Sequence, residues 1–224
     1  MPRTLSLTPA HIARVHRAVT DTGPPPGMEL HTDADYAGWV AKIAATAPPG
    51  PLRLFAFGSL IWKPEIAHTA ECPATAHGWH RSFCLRMIRM RATPDCPGLM
   101  MALDRGGTCK GVLYDLPPED VPGQLDRLFR REFTVKPINN VPHWITVRTP
   151  EGPATALAFT MNRASPAYIR LPLDDQAEML SRACGYWGTG AEYLMNTVTH
   201  LEQRGIHDRT LWALQSRVAA LIDG

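Results

Sequence analysis

Residues 52–62 read Leu-Arg-Leu-Phe-Ala-Phe-Gly-Ser-Leu-Ile-Trp, an apolar strand that runs directly into a Gly-Ser turn. Gly58 permits a positive φ and lets a ligand approach the backbone without a Cβ in the way. Successive N–H groups around such a turn can form a concave site that suits a carboxylate. The simpler interpretation is an ordinary strand followed by a β-turn, and the stretch taken alone favours it.

The composition is that of an ordinary globular chain. Of its 224 residues, 45% are hydrophobic and 20% are charged, which is enough apolar material for one good core. The net charge of +2 creates no strong field that would attract nucleic acid or an anionic membrane. The sequence has neither a membrane-spanning apolar run nor the apolar segment of a secretory signal. We therefore expect a cytoplasmic protein that binds neither nucleic acid nor membrane.

The metal-binding residue types are present without a metal-binding pattern. The five cysteines are odd in number and include no C-x-x-C pair, which argues against a disulfide framework and against a structural zinc site. The nine histidines include no H-E-x-x-H motif. We expect free thiols, no metal and no cofactor.

Clusters of Pro and Gly at 24–27 and 48–51 set off an N-terminal region from the rest of the chain. Two short helical patterns in this region cover roughly residues 8–20 and 33–46. We expect residues 1–50 to form a helical extension that packs on the core, and residues 51–224 to form one structural unit.

Short strand patterns fill the middle of the chain, and helical patterns fill its last fifty residues. Two hairpins are predicted, because an Asp-Arg-Gly-Gly cluster and a Thr-Pro-Glu-Gly-Pro cluster each separate a pair of apolar segments. The paired segments are 99–103 with 110–116, and 144–148 with 154–161. The C-terminal helices are predicted at 173–184, 191–203 and 209–222. Strands between flanking helices indicate an α+β protein.

A further helix, predicted after the prolines at 117–118, ends its apolar stripe on a carboxylate. The residues that share this face are Val121, Leu125, Leu128 and Glu132. Glu132 is either the solvated end of the helix or a charge directed at the core, where desolvation raises its pKa and makes it a base. Three arginines of the same helix, Arg127, Arg130 and Arg131, could form exposed ion pairs with it, each worth under about 1 kcal/mol. The pattern alone favours the solvated alternative.

Six short blocks carry more information together than any one of them does alone. They read Phe-Gly-Ser-Leu-Ile-Trp at 57–62, Gly-Trp-His-Arg-Ser-Phe-Cys at 78–84, Arg-Ala-Thr at 91–93, Gly-Val-Leu-Tyr-Asp-Leu-Pro at 111–117, Arg-Glu at 131–132 with Pro-His-Trp at 142–144, and Gly-Thr-Gly-Ala-Glu-Tyr-Leu at 188–194. In order and spacing they resemble the ChaC-like γ-glutamylcyclotransferases, the glutathione-cleaving family, and most closely its bacterial members. The resemblance covers nearly everything from about residue 50 to the C-terminus.

The resemblance implies a small mixed β-barrel surrounded by helices, and it assigns roles to particular residues. Glu132 takes the catalytic position, as general acid and base. The loop expected to bind the γ-glutamyl group consists of Phe57, Gly58, Ser59, Leu60, Ile61 and Trp62. Arg91 matches a family motif and is expected to bind a substrate carboxylate, because a guanidinium suits carboxylates. Arg81 also lies in a family motif and could bind a carboxylate in the same way. For both arginines, the alternative that they are structural stays open.

The implied reaction needs no nucleophile from the enzyme. The α-amino group of the substrate attacks its own γ-carbonyl, which gives 5-oxoproline and, from glutathione, releases Cys-Gly. One carboxylate can take the proton from the attacking amine and return it to the leaving amine. We expect a monomer that acts on a small-molecule substrate.

Three positions depart from the family pattern. Phe57 stands where the family has Tyr, Asn140 stands where bacterial members have Tyr, and Gly190 stands where the family has Asn. We interpret these changes as a shifted substrate preference. Two alternatives to glutathione cleavage therefore remain: a cyclotransferase for another γ-glutamyl amine or peptide, and a catalytically weak γ-glutamyl-binding protein.

Overall fold

The computed structural model describes residues 4–24 and 26–224. Its helices are α1 (Pro9–Val15), α2 (Asp33–Ala45), α3 (Val121–Glu132), α4 (Leu173–Arg182), α5 (Gly190–Gln203) and α6 (Arg209–Asp223). Its strands are β1 (Glu29–Leu30), β2 (Arg53–Ala56), β3 (Ala70–Met87), β4 (Gly98–Asp115), β5 (Val135–Lys136), β6 (Asn140–Thr149), β7 (Gly152–Met161), β8 (Cys184–Gly185) and β9 (Gly188–Thr189). Within this described part of the chain, no helix is long and apolar enough to cross a membrane.

Strands β2, β4, β3, β6 and β7 close into a barrel in that order, with a further pairing between β4 and β7. β2 runs antiparallel to β4 and pairs in parallel with β7, where Leu54 lies opposite Leu157. Leu54, Phe55 and Ala56 are all fully buried. This continuous burial explains why the β2 sequence does not alternate between apolar and polar residues. The predicted α+β class with a small mixed barrel is confirmed.

The second predicted hairpin is confirmed as β6 and β7. The register runs from Asn140 opposite Met161 to Thr149 opposite Gly152. Gly152 has φ of 125°, which favours glycine, and the Thr149 hydroxyl donates to the Gly152 carbonyl at 2.9 Å. The turn chemistry that predicts this hairpin therefore operates as expected.

The first predicted hairpin is wrong, because its two segments lie along the single strand β4. Gly106 and Gly107 have φ of 105° and 71°, but the chain continues through them as a strand. The two ends of β4 have different partners, with Leu103 opposite Thr160 of β7 and Tyr114 opposite Leu54 of β2. Pairing across the barrel thus replaces the local pairing that the glycines suggest.

Contacts divide the chain into two compact units, and the division does not follow the predicted boundary at residue 50. One unit comprises residues 24–82 and 102–165, and the other comprises residues up to 23, 83–101 and 166–224. β3 and β4 contribute residues to both. The predicted extension 1–50 is divided between the units, and residues 1–3 and Pro25 lie outside the described residues. A domain boundary at residue 50 stays a prediction.

In the unit that contains residues 24–82 and 102–165, α2 packs against α3. The Tyr36 hydroxyl on α2 donates to the Phe133 carbonyl at 3.0 Å, and β1 pairs antiparallel with β5. α2 begins at a capped residue, because the Thr32 side chain accepts from the Asp35 amide. This part of the predicted extension therefore packs on the residues that follow the barrel strand β4.

In the other unit, α4, α5 and α6 pack against one another, and α1 packs on α5 and α6. The Leu7 amide donates to the Gln215 side chain at 2.8 Å, and both residues are buried. α1 ends at Val15, several residues earlier than predicted. α4 ends at Arg182, because Ala183 adopts an extended conformation and leads into β8. The predicted α5 and α6 are confirmed within one residue at each end.

Gly111 lets β2 and β4 approach closely at the end of β2. A Cβ at this position would overlap the Ala56 carbonyl oxygen and lie 2.8 Å from the Phe55 ring. Both neighbours are fully buried and cannot move aside easily. Since Ala56 directly precedes the loop that begins at Phe57, a shift here would reach that loop as well.

We expect Gly111→Ala to destabilise the protein by about 1–3 kcal/mol, because the added methyl overpacks the barrel. Urea denaturation measures this as a lower midpoint. Gly38→Ala is the matched control: Gly38 lies in α2, and its added Cβ would contact nothing within 4 Å. This control should gain about 0.5–1 kcal/mol. A wild-type midpoint for Gly111→Ala would contradict the close-approach argument.

Candidate functional site

Glu132 is the last residue of α3, and its side chain is largely withdrawn from water. Leu125 and Leu128 on the same face are fully buried, and the Glu132 side chain is 16% exposed. The solvated alternative favoured by the pattern is therefore wrong. The carboxylate continues the apolar stripe into the protein.

The backbone after Glu132 is fixed by aromatic packing. Phe133 is 3% exposed, and its ring stacks on Phe129 with 5.0 Å between centroids. Its carbonyl accepts the hydrogen bond from Tyr36, and its amide donates to the Phe129 carbonyl. These contacts hold the end of α3, and with it Glu132, in one orientation.

Burial raises the pKa of the Glu132 carboxyl above its ordinary value of 4.5. The adjacent Arg131 guanidinium opposes this shift, and the Glu65 carboxylate adds to it. The C-terminal end of a helix carries negative partial charge, which also disfavours a carboxylate there. The result is a carboxyl group with a raised affinity for a proton.

Arg131 connects Glu132 to the segment that follows β2. Its Nε lies 3.3 Å from Glu132 Oε1, and its Nη2 donates to Ser59 Oγ at 3.1 Å. Its Nη1 donates to the Lys63 carbonyl and lies 3.2 Å from Glu65 Oε2. One guanidinium therefore contacts the carboxylate and three residues of this segment.

The segment 57–62 forms a 3₁₀ turn at Ser59–Ile61, and side chains from other elements hold its carbonyl groups. Arg81 Nε donates to the Phe57 carbonyl at 2.6 Å, and the Tyr114 hydroxyl donates to the Ile61 carbonyl at 3.4 Å. The Ile61 amide donates to the Gly58 carbonyl at 2.9 Å. Arg81 is therefore a structural residue that anchors the turn, which is one of its two interpretations from the sequence.

The predicted binding residues of this segment differ in what they expose. Phe57, Gly58, Leu60 and Ile61 are buried, whereas Ser59 and Trp62 are partly exposed. Gly58 has φ of −133°, so it does not use the positive φ that a glycine permits. The structure brings the Ser59 hydroxyl and Glu132 together on one arginine, which is consistent with a shared site.

Arg91 lies in the other unit and has internal partners there. Its Nη1 donates to Glu192 Oε2 at 2.7 Å and to the Thr189 carbonyl at 3.0 Å. Its guanidinium also lies over the Tyr193 ring, 5.6 Å from the centroid. These contacts favour the structural interpretation, and a role of Arg91 in substrate binding stays a prediction.

The structure shows the local environment of two of the three departures from the family pattern, Gly190 and Asn140. A Cβ at Gly190 would lie 3.1 Å from the Leu180 side chain, so close packing of α5 on α4 suits a glycine here. Asn140 begins β6, and its side-chain oxygen is buried without a hydrogen-bond partner among residues 4–24 and 26–224.

Across these same residues, no group of three His, Cys, Asp or Glu side chains could hold a metal ion.

The sequence patterns assign no role in the site to Arg131, Glu65 or Tyr114. The helical pattern groups Arg131 with two exposed arginines, although its side chain is only 15% exposed. Its position directly before Glu132 is the available signal. Glu65 and Tyr114 carry no pattern that separates them from surface or core residues.

Comparison with known proteins gives consistent matches. A family model described as ChaC-like protein matches residues 52–221. The glutathione-specific gamma-glutamylcyclotransferase of Escherichia coli (strain K12) is 34% identical over 83% of this chain and 80% of its own length. Glutathione-specific gamma-glutamylcyclotransferase 1 of Mus musculus is 26% identical over 92% of this chain and 92% of its own.

A solved structure shares the fold. The crystal structure of a γ-glutamyl cyclotransferase specific to glutathione from yeast superposes with a TM-score of 0.68 and 21% sequence identity. The match covers 75% of this chain and 96% of the yeast chain. The match shows that the two chains share a fold.

Stability should depend on the protonation of Glu132. Because folding raises its pKa, the folded protein holds this proton more tightly than the unfolded chain, and stability falls as the pH rises from about 4.5 through the folded pKa. We expect Glu132→Gln to melt about 2–4 °C above wild type at pH 8, with the difference lost near pH 4. Thermal melts across this range, with the exposed Glu119→Gln as control, measure the effect. A constant difference at all pH values would contradict it.

Proposed function

Because this chain belongs to the ChaC-like family, we propose that it is a glutathione-specific γ-glutamylcyclotransferase, which converts glutathione to 5-oxoproline and Cys-Gly. The observation that carries the proposal is a desolvated carboxylate, Glu132, linked through Arg131 to Ser59 in the 3₁₀ turn after β2. The relatives named as glutathione-specific support the choice of substrate. The proposed partner is therefore a small-molecule substrate, and the residues proposed to bind and cleave it all belong to this chain.

The chemistry that Glu132 would perform is proton transfer. The substrate amine is an ammonium at neutral pH and cannot attack until it loses a proton. Glu132 takes this proton, and the freed nitrogen forms a bond to the γ-carbonyl carbon. The bond between that carbon and the cysteinyl nitrogen then breaks as Glu132 returns the proton to the leaving nitrogen. The ring nitrogen gives up its second proton in the same way, so that it becomes the lactam N–H of 5-oxoproline and the cysteinyl amine leaves as an ammonium. A raised pKa favours the first transfer, because it brings the carboxyl closer to the ammonium in proton affinity.

Two neighbouring effects act in opposite directions on this pKa. Burial raises the pKa of the Glu132 carboxyl, and the Arg131 guanidinium acts against the rise by favouring the carboxylate form. Glu65 is itself held ionised, because the hydrogen bond from Lys63 lowers the pKa of its carboxyl. The raised proton affinity of Glu132 thus arises from burial and is opposed by one adjacent cation.

The turn after β2 would position the γ-glutamyl group. The first amides of a helical turn have no partner inside it, so the Ser59 and Leu60 N–H groups are suited to a carboxylate or to the developing oxyanion. The side chain of Leu60 is buried, so this residue offers its backbone. Ring closure is intramolecular, and the contribution of the turn is to hold the flexible glutamyl chain in the bent form that reacts.

A second candidate keeps the reaction and changes the leaving group to another γ-glutamyl amine or peptide. Phe57 lacks the hydroxyl of the family's Tyr, and the buried oxygen of Asn140 is an unused acceptor. If these two residues face the substrate, as their counterparts' positions in the family motifs suggest, both changes alter the hydrogen bonds that a substrate can form. The monomeric state and the cytoplasmic location expected from the sequence stay predictions.

Product analysis tests the proposal directly. Purified protein with glutathione should yield 5-oxoproline and Cys-Gly in equal amounts, measured by mass spectrometry. Glu132→Gln should lower kcat by about 10²- to 10⁴-fold, because the proton carrier is lost. Glu119→Gln, an exposed change in the turn just before α3, should keep wild-type activity. Full activity of Glu132→Gln would refute the assigned role, and a γ-glutamyl peptide cleaved faster than glutathione would establish the second candidate.

Restoring the family hydroxyl should improve the reaction with glutathione. We expect Phe57→Tyr to raise kcat/KM by about 2- to 10-fold, the equivalent of one hydrogen bond worth about 0.5–1.5 kcal/mol. Phe57→Leu, which restores no hydroxyl, is the control and should give no gain. A Tyr variant that gains nothing with glutathione while losing activity with other γ-glutamyl compounds would show that Phe57 serves a different substrate.

A further inference from the structure

Three arginines lie close together on α3, and Arg131 differs from the other two in its contacts and in its exposure. Arg127 pairs with Asp120 and is 50% exposed, and Arg130 pairs with Asp126 and Asp33 and is 44% exposed. Arg131 is 15% exposed. The first two are solvated surface pairs of small energetic value, whereas Arg131 is enclosed.

The guanidinium of Arg131 has a protein partner at every nitrogen. Nε faces the Glu132 carboxylate, Nη2 donates to the Ser59 hydroxyl, and Nη1 serves the Lys63 carbonyl and the Glu65 carboxylate. A planar group with donors in a fixed fork holds such partners in one mutual geometry. These partners come from both sides of the candidate site: the helix end and the turn.

We propose that Arg131 is a positioning residue for the cyclotransferase reaction, which holds the Glu132 carboxylate and the Ser59 turn in a fixed relation to each other. The inference rests on the proposed function, because it takes Glu132 as the proton carrier. It assigns Arg131 no contact with substrate. With its nitrogens occupied and its side chain mostly enclosed, Arg131 is poorly placed to act as a substrate carboxylate ligand.

The charges that face Glu132 make the electrostatic part of this role testable. Arg131 is the adjacent cation, and Glu65 is the adjacent anion, itself paired with Lys63 Nζ at 2.9 Å. Removing the cation should favour the protonated form of Glu132, whereas removing the anion should favour the ionised form. The two changes therefore act in opposite directions on the same carboxyl group.

The experiment measures kcat and KM against pH for wild type, Arg131→Gln, Arg131→Lys, Glu65→Gln and the control Arg127→Gln. Arg131→Gln should lower kcat by about 10- to 100-fold and move the acid limb of the pH profile to higher pH. Glu65→Gln should move that limb to lower pH. Arg131→Lys keeps the positive charge but lacks the forked donors of the guanidinium. Its acid limb should therefore stay at nearly the same pH as in wild type, while kcat falls. Arg127→Gln should match wild type in both.

Two outcomes would overturn the inference. One is an Arg131→Gln enzyme with wild-type kcat and an unmoved acid limb. The other is an equal loss of kcat in Arg131→Gln and Arg127→Gln, which would indicate a general effect of charge on α3. If Arg131→Gln does not fold, Ser59→Ala removes the Nη2 contact from the turn side. It should lower kcat without moving the limb, and an unchanged kcat would count against positioning.

A measurement without turnover separates this inference from the proposed function. In protein labelled with ¹³C at glutamate carboxyl groups, the Glu132 signal is identified by its loss in Glu132→Gln. Its pKa should be higher in Arg131→Gln than in wild type. If wild type cleaves no γ-glutamyl compound, the proposed function fails, and this titration still decides whether Arg131 governs the carboxyl. If wild type is active and the titration does not move, the electrostatic part of the inference is refuted and the proposed function is untouched.

Discussion

The rest of the site depends on the removal of one carboxyl group from water. Burial of an ionised carboxylate is costly unless a partner compensates it. Here the same helix that buries Glu132 supplies Arg131 as the compensating cation. The compensation is partial, since the pKa of Glu132 stays raised. A carboxylate with full compensation would bind protons weakly, and one with none would stay protonated at neutral pH.

Local chemistry predicts much of the fold. The caps at Thr32, Thr189 and Asp208 each accept a backbone hydrogen bond in the first turn of a helix, and α2, α5 and α6 begin directly after these residues. The hairpin of β6 and β7 follows its turn residues. The same reasoning fails for β4, because the partners of its two ends lie far away in the sequence. Two glycines signal a turn locally, and distant pairing decides whether one forms.

The candidate site can also be predicted from the sequence only in part. Motif order points to Glu132 and to the turn after β2, and the apolar stripe offers burial of the carboxylate as one of two alternatives. The contact between Arg131 and Glu132 cannot be predicted in this way, because the side chains of neighbouring helical residues normally point in different directions. Its long side chain reaches Glu132 only at the end of the helix. The sequence also does not predict the partner of Arg91, since Glu192 lies 101 residues later in the chain.

The way the turn after β2 is held has a consequence for the energy of the reaction. Side chains from three elements bind its carbonyl groups at Phe57, Ile61 and Lys63. The peptide planes of the turn are therefore oriented before any substrate arrives, and so are the dipoles of their amides. In water, solvent dipoles must turn towards a charge as it develops, and this reorganisation makes up much of the barrier. A turn whose dipoles are already fixed would avoid that cost when charge moves onto the γ-carbonyl oxygen.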